Sequence, residues 1–166
     1  MPVIRRMLTL AAAAGALLGA PLKAQSDEDL LSRYRLTENA YAKYVQASRN
    51  MIAAWKADST AFKDEEEEED EGDDPTIADL AAQYDGHPAT KRAITSAGMT
   101  TREFVTFTFS LFQAAAAAWL VKQRQGKLDN LPAGTPRENV LFYQQHEAEL
   151  QRLTEEMQAI LGEKNE

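Results

Sequence analysis

The chain has 166 residues with 26 acidic and 18 basic side chains, a net charge of −8, and no cysteine. Without cysteine it has no disulfide, no structural zinc site of the usual composition and no lipid-modified cysteine, so a packed core must hold the fold. A basic patch is missing too, and with it the electrostatic footprint of a nucleic-acid binder.

The chain opens MPVIRRMLTLAAAAGALLGAPLKAQS. Arg5 and Arg6 give a positive n-region, Met7 to Leu18 is an uncharged and mostly apolar run, and Leu22-Lys23-Ala24 ends in a small residue. These are the parts of a secretory signal, expected to be cleaved after Ala24 and to deliver the mature chain to the periplasm or the medium. A twin-arginine route through Arg5-Arg6 is the rival export signal, which Met7-Leu8-Thr9 fits poorly. An N-terminal core helix is the other rival, but so many small residues without a polar face argue against it. Removing residues 1–24 takes away three bases and leaves 142 residues, with 26 acids against 15 bases, or −11.

Asp27 to Arg35 is expected to add a helical turn or two. Residues 38–62 place Tyr41, Tyr44, Val45, Ser48, Met51, Ile52, Trp55, Ser59 and Phe62 on one face of an amphipathic helix, with Thr37 at its N-cap. Residues 25–63 form the N-terminal helical part.

Asp64 to Asp74 then holds ten carboxylates in eleven positions. A run with nothing apolar to bury stays extended by its own repulsion, so 64–74 reads as a disordered acidic linker. A lure for a cationic partner and weak calcium binding are the alternatives. It is no EF-hand: with Gly72 at loop position 6, Ala78 falls where a bidentate Glu is needed. Outside the run the mature chain carries 16 acids against 15 bases.

Residues 75–166 form the C-terminal helical part, expected to pack with 37–62 as one domain. Asp74 and Pro75 are placed as N-cap and N1 of a short helix ending at Gly86. Pro88 opens another, which Gly98 ends in the left-handed conformation. Thr100 and Glu103 are spaced as a capping box, with Met99 and Phe104 as the hydrophobic staple. From Phe104 to Val121 there are 18 residues without charge. Alternation of Val105, Phe107, Phe109 and Leu111 with Thr106, Thr108 and Ser110 is a strand pattern. The capping box before it and the five alanines after it favour a helix over Thr101–Arg124, the central element of a bundle. A membrane span is the third reading, diluted by Thr106, Thr108, Ser110 and Gln113. In the last helix Thr135, Pro136 and Glu138 are placed as N-cap, N1 and N3. Its seam is Tyr143, His146, Leu150, Leu153, Met157 and Ile160, and Gly162 is its stop. The predicted fold is all-α, an antiparallel bundle of three long helices with two or three short ones.

The stretches AGMTTREFVTFTFSLFQAA (97–115) and LPAGTPRENVLFYQQHEAEL (131–150) resemble a pattern of small exported helical proteins of bacteria. There, A-G-[LM]-[ST]-x-R-E-[FY] opens an apolar helix and L-P-x-G…N-V-x-F a C-terminal one. The resemblance covers residues 36–155, leaves out the acidic run, and implies the fold and export but no activity.

Candidate chemistry is sparse. The chain has two histidines, His87 and His146, no G-x-S-x-G elbow, no phosphate-binding loop, no dinucleotide fingerprint and no H-E-x-x-H. No metal site, cofactor or catalytic residue is assigned, and the expectation is a non-enzyme. His87, in DGHPA, reads as a turn residue. His146, on the apolar seam, reads as a core-edge histidine satisfied by a tyrosine hydroxyl or carboxylate; the sharper reading is a non-covalent haem ligand, with Met51, Met99 or Met157 as its mate. Tyr41, Tyr44, Trp55, Phe104, Phe107, Phe112, Trp119, Phe142 and Tyr143 are expected in the core, unless a groove between helices binds a peptide or apolar ligand. The function expected is binding or structural, with an unidentified protein or peptide partner. A periplasmic holdase is an alternative, similar in size and helicity to small Spy-like chaperones but without their L-T-x-x-Q repeats; a haem-binding bundle is another.

Overall fold

The computed structural model describes residues 22–58, 75–123, 128 and 131–162. Among them are six α-helices and no strand: α1 Leu22–Arg33, α2 Glu38–Ala57, α3 Ile77–Gly86, α4 Pro88–Ser96, α5 Thr101–Gln123 and α6 Arg137–Gly162. The all-α class stands, and the strand reading of 105–111 falls. The signal-peptide reading lies on residues 1–21, outside the described part; its last residues, Leu22 to Ala24, open α1. The acidic run 64–74 also lies outside.

Several helix ends are set by the residues the spacing singles out. Thr37 Oγ1 accepts from Ala40 N at 3.3 Å and caps α2. That helix ends at Ala57, and Ser59 and Phe62 of its predicted face lie outside the described residues. Gly98 has φ +79° and closes α4, its N–H donating to Thr95 O at 3.0 Å. Thr100 Oγ1 accepts from Glu103 N at 3.1 Å at the start of α5.

Two starts differ from the expectation. At α3 the cap is Thr76, not Asp74: Thr76 Oγ1 accepts from Asp79 N and the Asp79 carboxylate accepts from Thr76 N, both at 3.1 Å. A Thr and an Asp three apart satisfy each other's orphan amides, which leaves Pro75 ahead of the helix. The next amide, Ile77 N, donates to Asp27 Oδ2 of α1 at 2.9 Å, so the chain leaving the acidic run is tied to α1. At α6 the predicted box of Thr135 and Glu138 is absent. The helix begins at Arg137, the Thr135 hydroxyl is buried without a partner, and Glu138 faces Arg35 at 3.8 Å.

One core gathers residues from both sides of the acidic run: Leu36, Tyr41, Tyr44 and Val45 with Ile77, Tyr84, Ile94, Met99, Phe104, Phe107, Leu111, Leu150 and Leu153. Tyr44 lies at its centre, its ring stacked 5.0 Å from Phe104 and 4.8 Å from Phe107. A smaller cluster joins Ala117 and Ala118 of α5 to Val140 of α6, with Leu128, Leu131 and Tyr143 against them.

Burial divides α5. Thr101, Phe104, Val105, Thr106 and Phe107 are buried and point in several directions, with α3 against this part through Tyr84 and Asp85. From Ser110 onward only one face is buried, that of Ser110, Leu111, Ala114, Ala117, Ala118 and Val121. The opposite face is open, so Phe112 and Trp119 are not core residues: they are 39% and 59% exposed. α3 has ten residues, or about 15 Å at 1.5 Å per residue, too short to follow the whole of α5.

Asn50 of α2 reaches Ala93 and Ser96 of α4, and Lys43 lies beside Gly98, an antiparallel pair. α5 and α6 meet through Ala117, Ala118 and Val140, with Leu128 and Leu131 packed against them, and through the ion pair of Lys122 with Glu147.

Candidate functional site

His146 lies on the predicted seam of α6 and is nearly buried, its side chain 13% exposed. Its ring lies 4.3 Å from that of Tyr41 and 4.5 Å from that of Phe142, centroid to centroid. Nε2 is 2.9 Å from Glu38 Oε1, in the first turn of α2, and Nδ1 is 4.0 Å from Glu149 Oε2. The first distance is a hydrogen bond and the second is too long for one. With Glu38 ionised, the ring satisfies it by donating from Nε2. This is the carboxylate-satisfied histidine of the core edge, and it fastens α6 to the start of α2. Haem ligation through Nε2 would require that bond to break. His87 is the joint between α3 and α4, with extended backbone as C-cap of one and N-cap of the other. Among the described residues no group of three or more His, Cys, Asp or Glu side chains is placed to hold a metal ion.

The tyrosines around the core are held protonated. Burial raises the pKa of Tyr44 and of Tyr84. Burial, helped by Glu103, pushes Tyr34 up to about 12. Tyr41 is raised by burial first and by the Glu149 carboxylate second; that carboxylate approaches a hydroxyl which is buried without a hydrogen bond of good geometry. Groups that shed protons so reluctantly are packing elements rather than general acids or bases near neutral pH.

Asn139 is a residue that periodicity missed. It is 1% exposed at the start of α6, where its Oδ1 accepts from Leu36 N at 2.9 Å and its Nδ2 donates to Tyr34 O at 3.0 Å. One amide side chain thus serves two polar backbone groups of the α1–α2 turn, a donor and an acceptor. The signal that could have found it is its place in N-V-x-F, the pattern of the resemblance.

The open face of α5 is the most unusual surface. Phe112 and Trp119 are seven residues apart, two turns, and so lie nearly above one another. Ala115 and Ala116, half-buried, sit between and to either side of them, and Gln123 continues the strip. No charged side chain lies on α5 between Glu103 and Lys122. Outward helix faces of water-soluble domains ordinarily carry charge, and contiguous exposed apolar residues mark interaction sites. By length and composition α5 would also pass for a membrane span, yet more than half of its apolar window is buried within the protein. Leu141 of α6 is a further exposed large apolar residue.

Comparison with protein-family models, with curated proteins and with solved structures yields no match.

Proposed function

We propose that the protein is a non-catalytic helical binding protein that works outside the cytoplasm, and that its binding surface is the α5 strip of Phe112, Ala115, Ala116 and Trp119. Exposure of two large aromatic side chains on one uncharged helix face is the observation that carries this reading. It replaces the groove expected from the aromatics, since most of those fill the core. Export is supported by the n-region, apolar run and small residue of the first 24 positions, and by the resemblance to small exported helical proteins. Cleavage after Ala24 leaves a mature chain starting at Gln25, inside α1.

The test uses the mature chain as bait for envelope proteins, beside a Phe112→Ser, Trp119→Ser double variant. Apolar contacts are not screened by salt, whereas exposed ion pairs fade as the Debye length drops from about 10 Å at 0.1 M to about 3 Å at 1 M. A partner retained in high salt and lost from the double variant is the expected result. A partner lost in high salt, or on removal of residues 64–74 alone, would transfer the role to the acidic run. Broad capture of unfolded clients through the strip would mark a holdase. Secretion is read separately, by the mass of the exported chain, which should begin at Gln25.

A further inference from the structure

We propose that the exported chain is blocked at its new N-terminus: Gln25 closes on itself to pyroglutamate and thereby guards α1 against aminopeptidases. The inference rests on export with cleavage after Ala24.

Cleavage makes Gln25 the first residue, followed by Ser26, Asp27, Glu28 and Asp29. α1 then loses Leu22, Lys23 and Ala24, whose carbonyls stand at the i−4 positions of Ser26, Asp27 and Glu28. The shortened helix needs a new cap for its orphan amides. Ser26 and Asp29 have the spacing of Thr76 and Asp79, the pair that forms the capping box of α3. With Ser26 as N-cap, Gln25 stands one position outside the helix, and its backbone is free of the hydrogen-bond ladder.

A terminal glutamine carries a nucleophile and an electrophile in one residue. The unprotonated α-nitrogen attacks the side-chain amide carbon Cδ, the new N–Cδ bond closes a lactam ring, and the Cδ–Nε2 bond breaks. Nε2 leaves as ammonia, taking one proton from the attacking amine. Atoms and electrons balance within the residue, and no oxidant, reductant or second reactant is needed. An α-amino group titrates at about 7.7–8.0, so on the order of a tenth of such amines is unprotonated at neutral pH. Tethering both groups to one Cα spares the reaction an encounter.

What lies next in the chain gives the block its consequence. Only Ser26 separates Gln25 from Asp27, whose Oδ2 accepts from Ile77 N at 2.9 Å. That bond ties α1 to the first turn of α3. Further on, Leu30 and Leu31 pack against the main core. An aminopeptidase needs a free α-amine; it would take Gln25 and Ser26 and then remove Asp27 itself. A lactam nitrogen offers no such amine, so the tie is kept.

The mature chain recovered from the exported fraction is weighed intact, before and after incubation at mildly alkaline pH. The expected mass is that of Gln25 to Glu166 less one ammonia, with the loss placed at residue 25 by fragmentation. Pyroglutamyl peptidase should then remove that residue alone and expose Ser26. Gln25→Asn keeps a side-chain amide but is one carbon too short to close the same ring. Under aminopeptidase this variant should be trimmed through Asp27 while the parent keeps its mass. A chain that begins at Gln25 and still holds its amine after the incubation overturns the inference and leaves the cleavage reading standing. A chain that begins at another residue overturns both. A Gln25→Asn chain that resists aminopeptidase as well as its parent overturns the guarding role.

Discussion

The two halves of the uncharged stretch of α5, Phe104 to Val121, fare differently. Around Phe104 and Phe107 the helix is buried in several directions, covered by α2 and α3. Past Ser110 it presents alanines inward and Phe112 and Trp119 outward. The inward alanines have a reason: Ala117 and Ala118 let Val140 of α6, Leu128 and Leu131 come close. Apolar composition therefore does not measure burial. What decides burial is which neighbours reach a given turn, and α3 ends too soon to reach the second half.

The largest expected effect tests that contrast directly. Phe107 is 0% exposed, and Phe107→Ala should cost about 3–5 kcal/mol in denaturant unfolding, from lost transfer energy and the cavity left behind. Phe112→Ala, five residues along the same helix, should cost no more than about 0.5 kcal/mol, as surface substitutions do. Equal losses for the two would mean that Phe112 is covered in solution and that the contrast between the two halves is wrong.

A finer contrast lies between neighbouring alanines. Ala117 is fully buried against α6, so Ala117→Leu should overpack the small cluster and cost about 1–3 kcal/mol. Ala116→Leu points toward the open strip and should stay within about 0.5 kcal/mol. If Ala116→Leu were the more damaging, the inward and outward faces assigned to this half of α5 would be reversed.

Much of this fold is legible in the residues, and the gaps have physical causes. Caps at Thr37, Gly98 and Thr100 are local chemistry, and spacing alone finds them. The start of α3 is misplaced by the sequence pattern because Pro75 suits N1, while the reciprocal bonds of Thr76 and Asp79 outweigh it. His146 reads as a satisfied core-edge residue because it stands on an apolar seam; its partner Glu38, 108 positions away, lies beyond any local rule. Asn139 escapes because a polar side chain reads as surface until the buried turn it serves is known. The open strip escapes for the opposite reason. An 18-residue uncharged run has no polar face to show which side looks outward, and only the short reach of α3 settles it.

The buried tyrosines sharpen the comparison through pH. Tyr34, Tyr41, Tyr44 and Tyr84 all belong to the first core and all have raised pKa values, whereas the second cluster has Tyr143 alone beside it, also raised by burial. The unfolded chain ionises its tyrosines near pH 10 while the folded chain still holds those protons. Above that pH the unfolded state binds fewer protons, so stability falls as pH rises; below it the contribution is fully present. Helical signal should be steady from neutral to about pH 9 and then decline, with near-ultraviolet absorbance of tyrosinate appearing together with unfolding. Tyr44→Phe loses hydroxyl hydrogen bonds to Thr108 and Ser48, at about 1 kcal/mol near neutrality, but should make the alkaline decline shallower. Tyrosinate appearing well before any loss of helix would show that the first core admits solvent, and the contrast with the open half of α5 would weaken.

The smallest effect is expected where the charge is greatest. Replacing Asp64 to Asp74 by a Gly/Ser segment of equal length removes ten carboxylates, yet each side keeps contacts made outside the run: Trp55 is buried in α2, and Thr76 and Asp79 cap α3 while Ile77 N is held by Asp27. Surface changes away from such features stay within about 0.5 kcal/mol, and relief of self-repulsion works toward a slight gain. The thermal midpoint should be unchanged or slightly higher at low salt, and the difference between variant and parent should vanish as salt rises. A loss of more than about 2 kcal/mol would mean that these carboxylates make specific contacts with the helices. In that event the acidic run would be part of the folded core rather than a link between two capped helices.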